Sequence, residues 1–90
     1  MLFVGYAKIE TKNRDAAYKR FQEMGNGEVE GVKLMGVWHS LTQDENWCVL
    51  EASDAIQIAK LFQKWTDLVL NHLTPVVSNE DMYKVLKNDN

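Results

Sequence analysis

Few groups in this chain can move a proton near neutral pH: two histidines, His39 and His72, and one carboxylate in an unusual setting, Glu51. Imidazole titrates close to neutrality and serves as general base, general acid or ligand. Glu51 stands in the apolar run Trp47-Cys48-Val49-Leu50-Glu51-Ala52. A carboxylate there must be paired, exposed at an edge, or raised in pKa by desolvation. Glu51, His72 and His39 are therefore the candidate catalytic residues. Tyr6, Trp38 and Trp65 are the candidate pocket residues, because flat aromatic side chains line sites for small hydrophobic or aromatic molecules. Each has a plainer reading beside this one. Histidines at strand ends are commonly exposed or hydrogen-bonded, and tryptophans are commonly core.

Other chemistries lack their residues. Cys48 is the single cysteine, so no intrachain disulfide forms and a reducing, cytoplasmic setting fits. No His or second Cys lies at metal-ligand spacing from it, and neither a metal nor a cofactor is implied. Gly25-Asn26-Gly27 with Gly31 follows a helical pattern instead of joining a strand to a helix, which a nucleotide loop requires. No Cys-x-x-Cys loop and no Ser-His-Asp order can be picked out. The net charge of −3, with ten basic residues scattered among thirteen acidic ones, gives phosphate backbones little to hold, so nucleic acid is not an expected partner. Leu2 to Ala7 is apolar but closed by Lys8 and Glu10, too short for a signal peptide or membrane span.

The elements that must carry these residues follow from pattern. Leu2 to Ile9 reads as a strand. Asn13 can cap a helix with Asp15 in its first turn, inward positions at Ala17, Phe21 and Met24, and a stop at Gly25 and Gly27. Val32–His39 and Trp47–Ala52 read as two strands of a hairpin around the polar stretch Thr42 to Asn46. Ser53 or Asp54 caps a second helix, with Ile58, Leu61, Phe62 and Trp65 on one stripe. Val69 to Val77 reads as a fourth strand, with Pro75 marking an edge or its end. Ser78 and Asp81 signal a short last helix through Lys87, and residues 88–90 are expected to fray.

This order, βαββαβ with a terminal helix, predicts an α+β ferredoxin-like domain over residues 1–90. It has a four-stranded antiparallel sheet with two helices on one face. Pairing Trp38 with Trp47 in a regular hairpin places Gly36 opposite Val49 and Leu34 opposite Glu51, with Lys33 on the other face. Gly36 then leaves a gap beside two large rings, either a pocket floor or a bulge. The strands are apolar on both faces, whereas a half-solvated sheet alternates. Two helices cover one face only, so a homodimer through the helix-free face is expected.

Several blocks resemble a known family. Arg20-Phe21…Gly25, Glu30-Gly31-Val32-Lys33…Trp38-His39, Glu51-Ala52-Ser53-Asp54 and Trp65-Thr66-Asp67-Leu68-Val69 with the later Pro75-Val76 are similar to the small bacterial domains grouped as DUF3303. That family has no assigned reaction, so the resemblance implies a fold. The topology also resembles, more distantly, the dimeric α+β barrels, which include cofactor-independent monooxygenases, small isomerases and stress-induced proteins. They keep a pocket between sheet and helices. Two functions are therefore expected alternatives. One is a binding or stress-related module with a sheet–helix pocket for a small hydrophobic ligand. The other is a metal-free, monooxygenase- or isomerase-like enzyme acting on a small hydrophobic or aromatic substrate.

Overall fold

The computed structural model describes residues 1–87; the expected frayed tail, residues 88–90, lies outside the described residues. Seven elements follow in order: β1 (Leu2–Lys8), α1 (Thr11–Met24), β2 (Val32–His39), β3 (Glu45–Ala52), α2 (Ala55–Gln63), β4 (Leu70–Val76) and α3 (Asn79–Lys87). The strands form one sheet in the order β2-β3-β1-β4, every neighbouring pair antiparallel. This is the ferredoxin-like arrangement, with β1 and β3 central and Pro75 on the edge strand β4, where its missing N–H costs no ladder bond.

The core lies between the sheet and the helices. Leu50 is fully buried beside Ala52, Ile58 and Leu61, with Phe3, Leu34 and Phe62 packed against them. A second group joins Ala7, Ile9, Ala17 and Val69. Ala17 and Ala7 are small enough to let α1 approach the sheet. Asp54 caps α2, its carboxylate accepting from the Ile56 amide at 2.8 Å, a contact typically worth about 1 kcal/mol.

Three expectations need correction. Helix α1 begins at Thr11, not after Asn13; Glu10 takes the N-cap position with extended backbone and no side-chain cap. Ile9 keeps one last sheet bond, its amide donating to the Asp44 carbonyl at 2.8 Å, and the chain then turns at once into the helix. Asp15 therefore falls outside the first turn. Helix α2 ends at Gln63, so Trp65 does not sit on it. After Gln63 the ladder tightens to i→i−3 bonds, Lys64 to Leu61 and Trp65 to Phe62, which turns the chain toward β4.

The hairpin, finally, is not regular. Trp38 pairs with Trp47 and Gly36 with Val49, but Leu34 pairs with Leu50 and Lys33 with Glu51. Met35 is an extra residue, a β-bulge. Because side chains alternate, one inserted residue reverses the phase of everything before it. Leu34 and Val32 turn inward to the core, and Lys33 comes directly across from Glu51. The gap over Gly36 is filled: the Trp38 ring lies against the position a Gly36 side chain would take.

Candidate functional site

Cross-strand register sorts the chemistry-bearing residues into two rows on opposite faces. Directly opposed residues in antiparallel strands share a face. Trp38 pairs with Trp47, Trp47 with Tyr6 and Tyr6 with His72. These four form a row across the helix-free face. One residue along, His39 pairs with Asn46, Asn46 with Ala7 and Ala7 with Asn71, a row on the helix-covered face.

The covered row lies at a cavity of about 90 Å³ between sheet and helices. Val37, Cys48 and Leu34 line it from the sheet, Tyr18 and Phe21 from α1, and Phe62 and Trp65 from α2 and the turn after it. His39, Asn46 and Asn71 supply polar groups. The Tyr18 hydroxyl and His39 Nδ1 lie 2.9 Å apart, and the Phe21 ring stands 5.2 Å from the imidazole. With a neutral ring protonated on Nε2, Tyr18 donates to Nδ1; the other tautomer reverses the bond. Burial, with the nearby Asp44 charge adding to it, pushes the Tyr18 phenol above its ordinary pKa. Burial likewise raises the Cys48 thiol, so it stays protonated.

The turn after α2 is tied to α1 beside this cavity. Arg20 makes a bidentate pair with Asp67 at 2.7 and 2.8 Å and donates to the Lys64 carbonyl at 2.7 Å. Its guanidinium stands 5.8 Å from the centre of the Trp65 ring. Trp65 Nε1 donates to the Asn26 carbonyl and Lys64 Nζ to that of Gly27. The hydrogen bond from Arg20 holds the Asp67 carboxyl below its usual range.

The sequence candidates therefore separate. His39 and Trp65 reach the cavity. Tyr6, Trp38 and His72 lie in the aromatic row on the other face, where the Tyr6 hydroxyl donates to the Glu45 carboxylate. That bond is the main cause pushing the Tyr6 phenol above its ordinary range. Glu51 shares the helix-free face but pairs with Leu2, four residues from Tyr6 on β1. That places it about 13 Å along the strand from the aromatic row. It is exposed, one of the three settings open to a carboxylate among apolar neighbours. Glu51, His72 and His39 do not meet. Tyr18 and the Arg20–Asp67 tie are not singled out by residue types, and Phe21 reads from them only as an inward position of the first helix. The signal available was that Arg20-Phe21 and Trp65-Thr66-Asp67 fall in the blocks carrying the family resemblance.

Among the described residues no group of three or more His, Cys, Asp or Glu side chains could hold a metal ion. No helix among them is long and apolar enough to cross a membrane.

The ferredoxin-like sheet with a cavity under its helices defines the fold class, and the family follows from the sequence. Residues 1–90 match the profile of DUF3303, a domain of unknown function, and the chain belongs to that family. The sequence matches no curated protein. Among solved structures, the chain is similar to a proposed antibiotic biosynthesis monooxygenase from Deinococcus radiodurans, at 8% identity and a TM-score of 0.48. The match covers 87% of this chain and 94% of the other.

Proposed function

We propose that this chain is a single-domain binding module, homodimeric and cytoplasmic in a bacterial cell, that takes a small hydrophobic molecule between its sheet and helices. The observation that carries the reading is the cavity's make-up: apolar walls with a few converging polar groups, His39, Tyr18, Asn46 and Asn71. Ligand sites are built this way. At about 90 Å³ the cavity suits a ligand of a few heavy atoms, and a ring enters if the Trp65 turn swings outward. A stress-related role is compatible with the same pocket. The homodimer is supported by the aromatic row Trp38, Trp47, Tyr6, whose two tryptophans no described residue of the chain covers. The net charge of −3 continues to favour a partner other than nucleic acid.

The alternative, a metal-free enzyme acting on a small hydrophobic or aromatic substrate, draws support from one pair, His39 and Tyr18. In that reading His39 moves the proton, Tyr18 orients it and Trp65 holds the substrate. Glu51 and His72 would have to act at a separate place on the other face.

Titration of nitrogen-labelled protein with indole, phenol and hexanol tests the binding reading. Amide shifts should concentrate at Val37, His39, Cys48 and Asn71. Shifts confined to Trp38 and Trp47, or none at millimolar ligand, would overturn it. Turnover of a probe that is lost in His39→Gln while binding persists would establish the enzyme instead. Sedimentation at micromolar concentration should give about twice the 10.4 kDa chain mass, and a monomer there removes the homodimer.

A further inference from the structure

We propose that α3 is an exchanged arm, each protomer laying its last helix on a second copy of the chain. This rests on the homodimer put forward above and adds the segment that completes it. Helix α3 has no buried residue. Val85 and Leu86 are 63% and 70% exposed, and Met82 and Tyr83 are exposed beside them. Met82, Val85 and Leu86 follow i, i+3, i+4 spacing and so form one stripe. The molecule measures 54 Å along its longest axis and 27 and 17 Å across. An eight-residue strand spans only about 27 Å, so the long axis is not set by the sheet, and α3 stands off the body.

Such a helix needs a cover. Isolated helices shorter than about 12–15 residues are marginal in water, and α3 has nine. Its local supports are the Ser78 hydroxyl accepting from the Asp81 amide at 3.0 Å and an exposed Asp81–Lys84 pair at 3.3 Å. Neither covers the stripe.

Area argues that the cover is a second copy. Four strands about 4.8 Å apart and about 25 Å long present a face of about 500 Å², so two such faces bury about 1,000 Å² in total. Stable dimers bury about 1,200–2,000 Å². A nine-residue helix about 13 Å long and 10 Å wide contributes about 130 Å² of its own and covers as much on its partner. Two symmetric arms bring the total to about 1,500 Å², within the range of a stable dimer. A membrane surface is the weaker occupant. Glu80 and Asp81 offset Lys84 and Lys87, and a helix lying on lipid relies on a basic polar face.

The test is Leu86→Glu in the full chain, beside wild type, by sedimentation equilibrium. A mixed sample of carbon-labelled and unlabelled wild-type protomers is examined by filtered nuclear Overhauser spectra. The dimer dissociation constant should rise at least tenfold in the variant while its strand circular dichroism is unchanged. The Val85 and Leu86 methyls should show contacts between protomers. A wild-type dimer unaffected by Leu86→Glu and lacking those contacts overturns the arm and leaves the homodimer standing. A wild-type monomer overturns both.

Discussion

Both faces of the sheet carry apolar residues, but they are built differently, and only the helix-free one also carries charged pairs, Lys8 with Glu45 and Lys33 with Glu51. Under the helices stand Leu50, Ala52, Ala7 and Gly5, all buried, small or branched side chains that let helices sit close. On the other face stand Val4, Trp38 and Trp47, all exposed. The first face is closed by this chain. The second is left open by the described residues. Alternation of residue types shows that a strand has two apolar sides but not which one the chain covers itself.

The largest expected effect lies on the covered face. Leu50→Ala removes a side chain with no exposure from the middle of β3 and should cost about 2–5 kcal/mol in denaturant melts. A loss below about 1 kcal/mol would mean that this face is no tighter than the other.

A matched pair of glycine substitutions sharpens the contrast. A Cβ at Gly5 would meet the Cys48 sulfur at 2.5 Å, inside the closed face. Gly5→Ala should therefore cost about 1–3 kcal/mol as overpacking. At Gly36 the obstacle is the Trp38 ring, 56% exposed and free to swing aside. Gly36→Ala should cost less than about 1 kcal/mol. Equal costs would break the comparison.

The smallest effect is pH-dependent and belongs to the tie between α1 and the turn before β4. Asp67 is held below its unfolded pKa by Arg20. The stability this gives is present above the unfolded value, about 3.9, and is lost as pH falls through the folded value. Asp67→Asn should melt slightly below wild type at pH 7, with the gap closing as the solution is acidified below about pH 4. A gap that stays constant with pH would show that Arg20 holds the turn through the Lys64 carbonyl and the Trp65 ring instead.

Much of the fold was legible because its signals are local. Gly25 does end α1, with positive φ, Asp54 does cap α2, and Ser78 does start α3. The order of strands and helices follows. What was not legible depends on contacts between distant residues. Asn13 looked like the cap of α1 because its side chain suits the role, yet the Ile9 bond to Asp44 sets where the strand ends. Trp65 continued the α2 stripe at the right spacing, yet the helix had already tightened into a turn. The candidate site suffered most. Residue type marks Tyr6, Trp38 and His72 as candidates, and they do form a row, but on the face away from the cavity. With both sides of β2 apolar, sequence pattern cannot say which side a given residue takes.

The bulge at Met35 has a consequence for how β2 can change. Before it, Val32 and Leu34 take the helix-covered face; after it, Val37 and His39 do. The strand is thus two phrases in opposite phase, joined by one uncounted residue. Were the hairpin regular, Trp38 and His39 could keep their faces only by turning Leu34 out of the core. The bulge releases the strand from that choice. Packing at one end and the imidazole at the other can each be revised by substitution without the other having to follow.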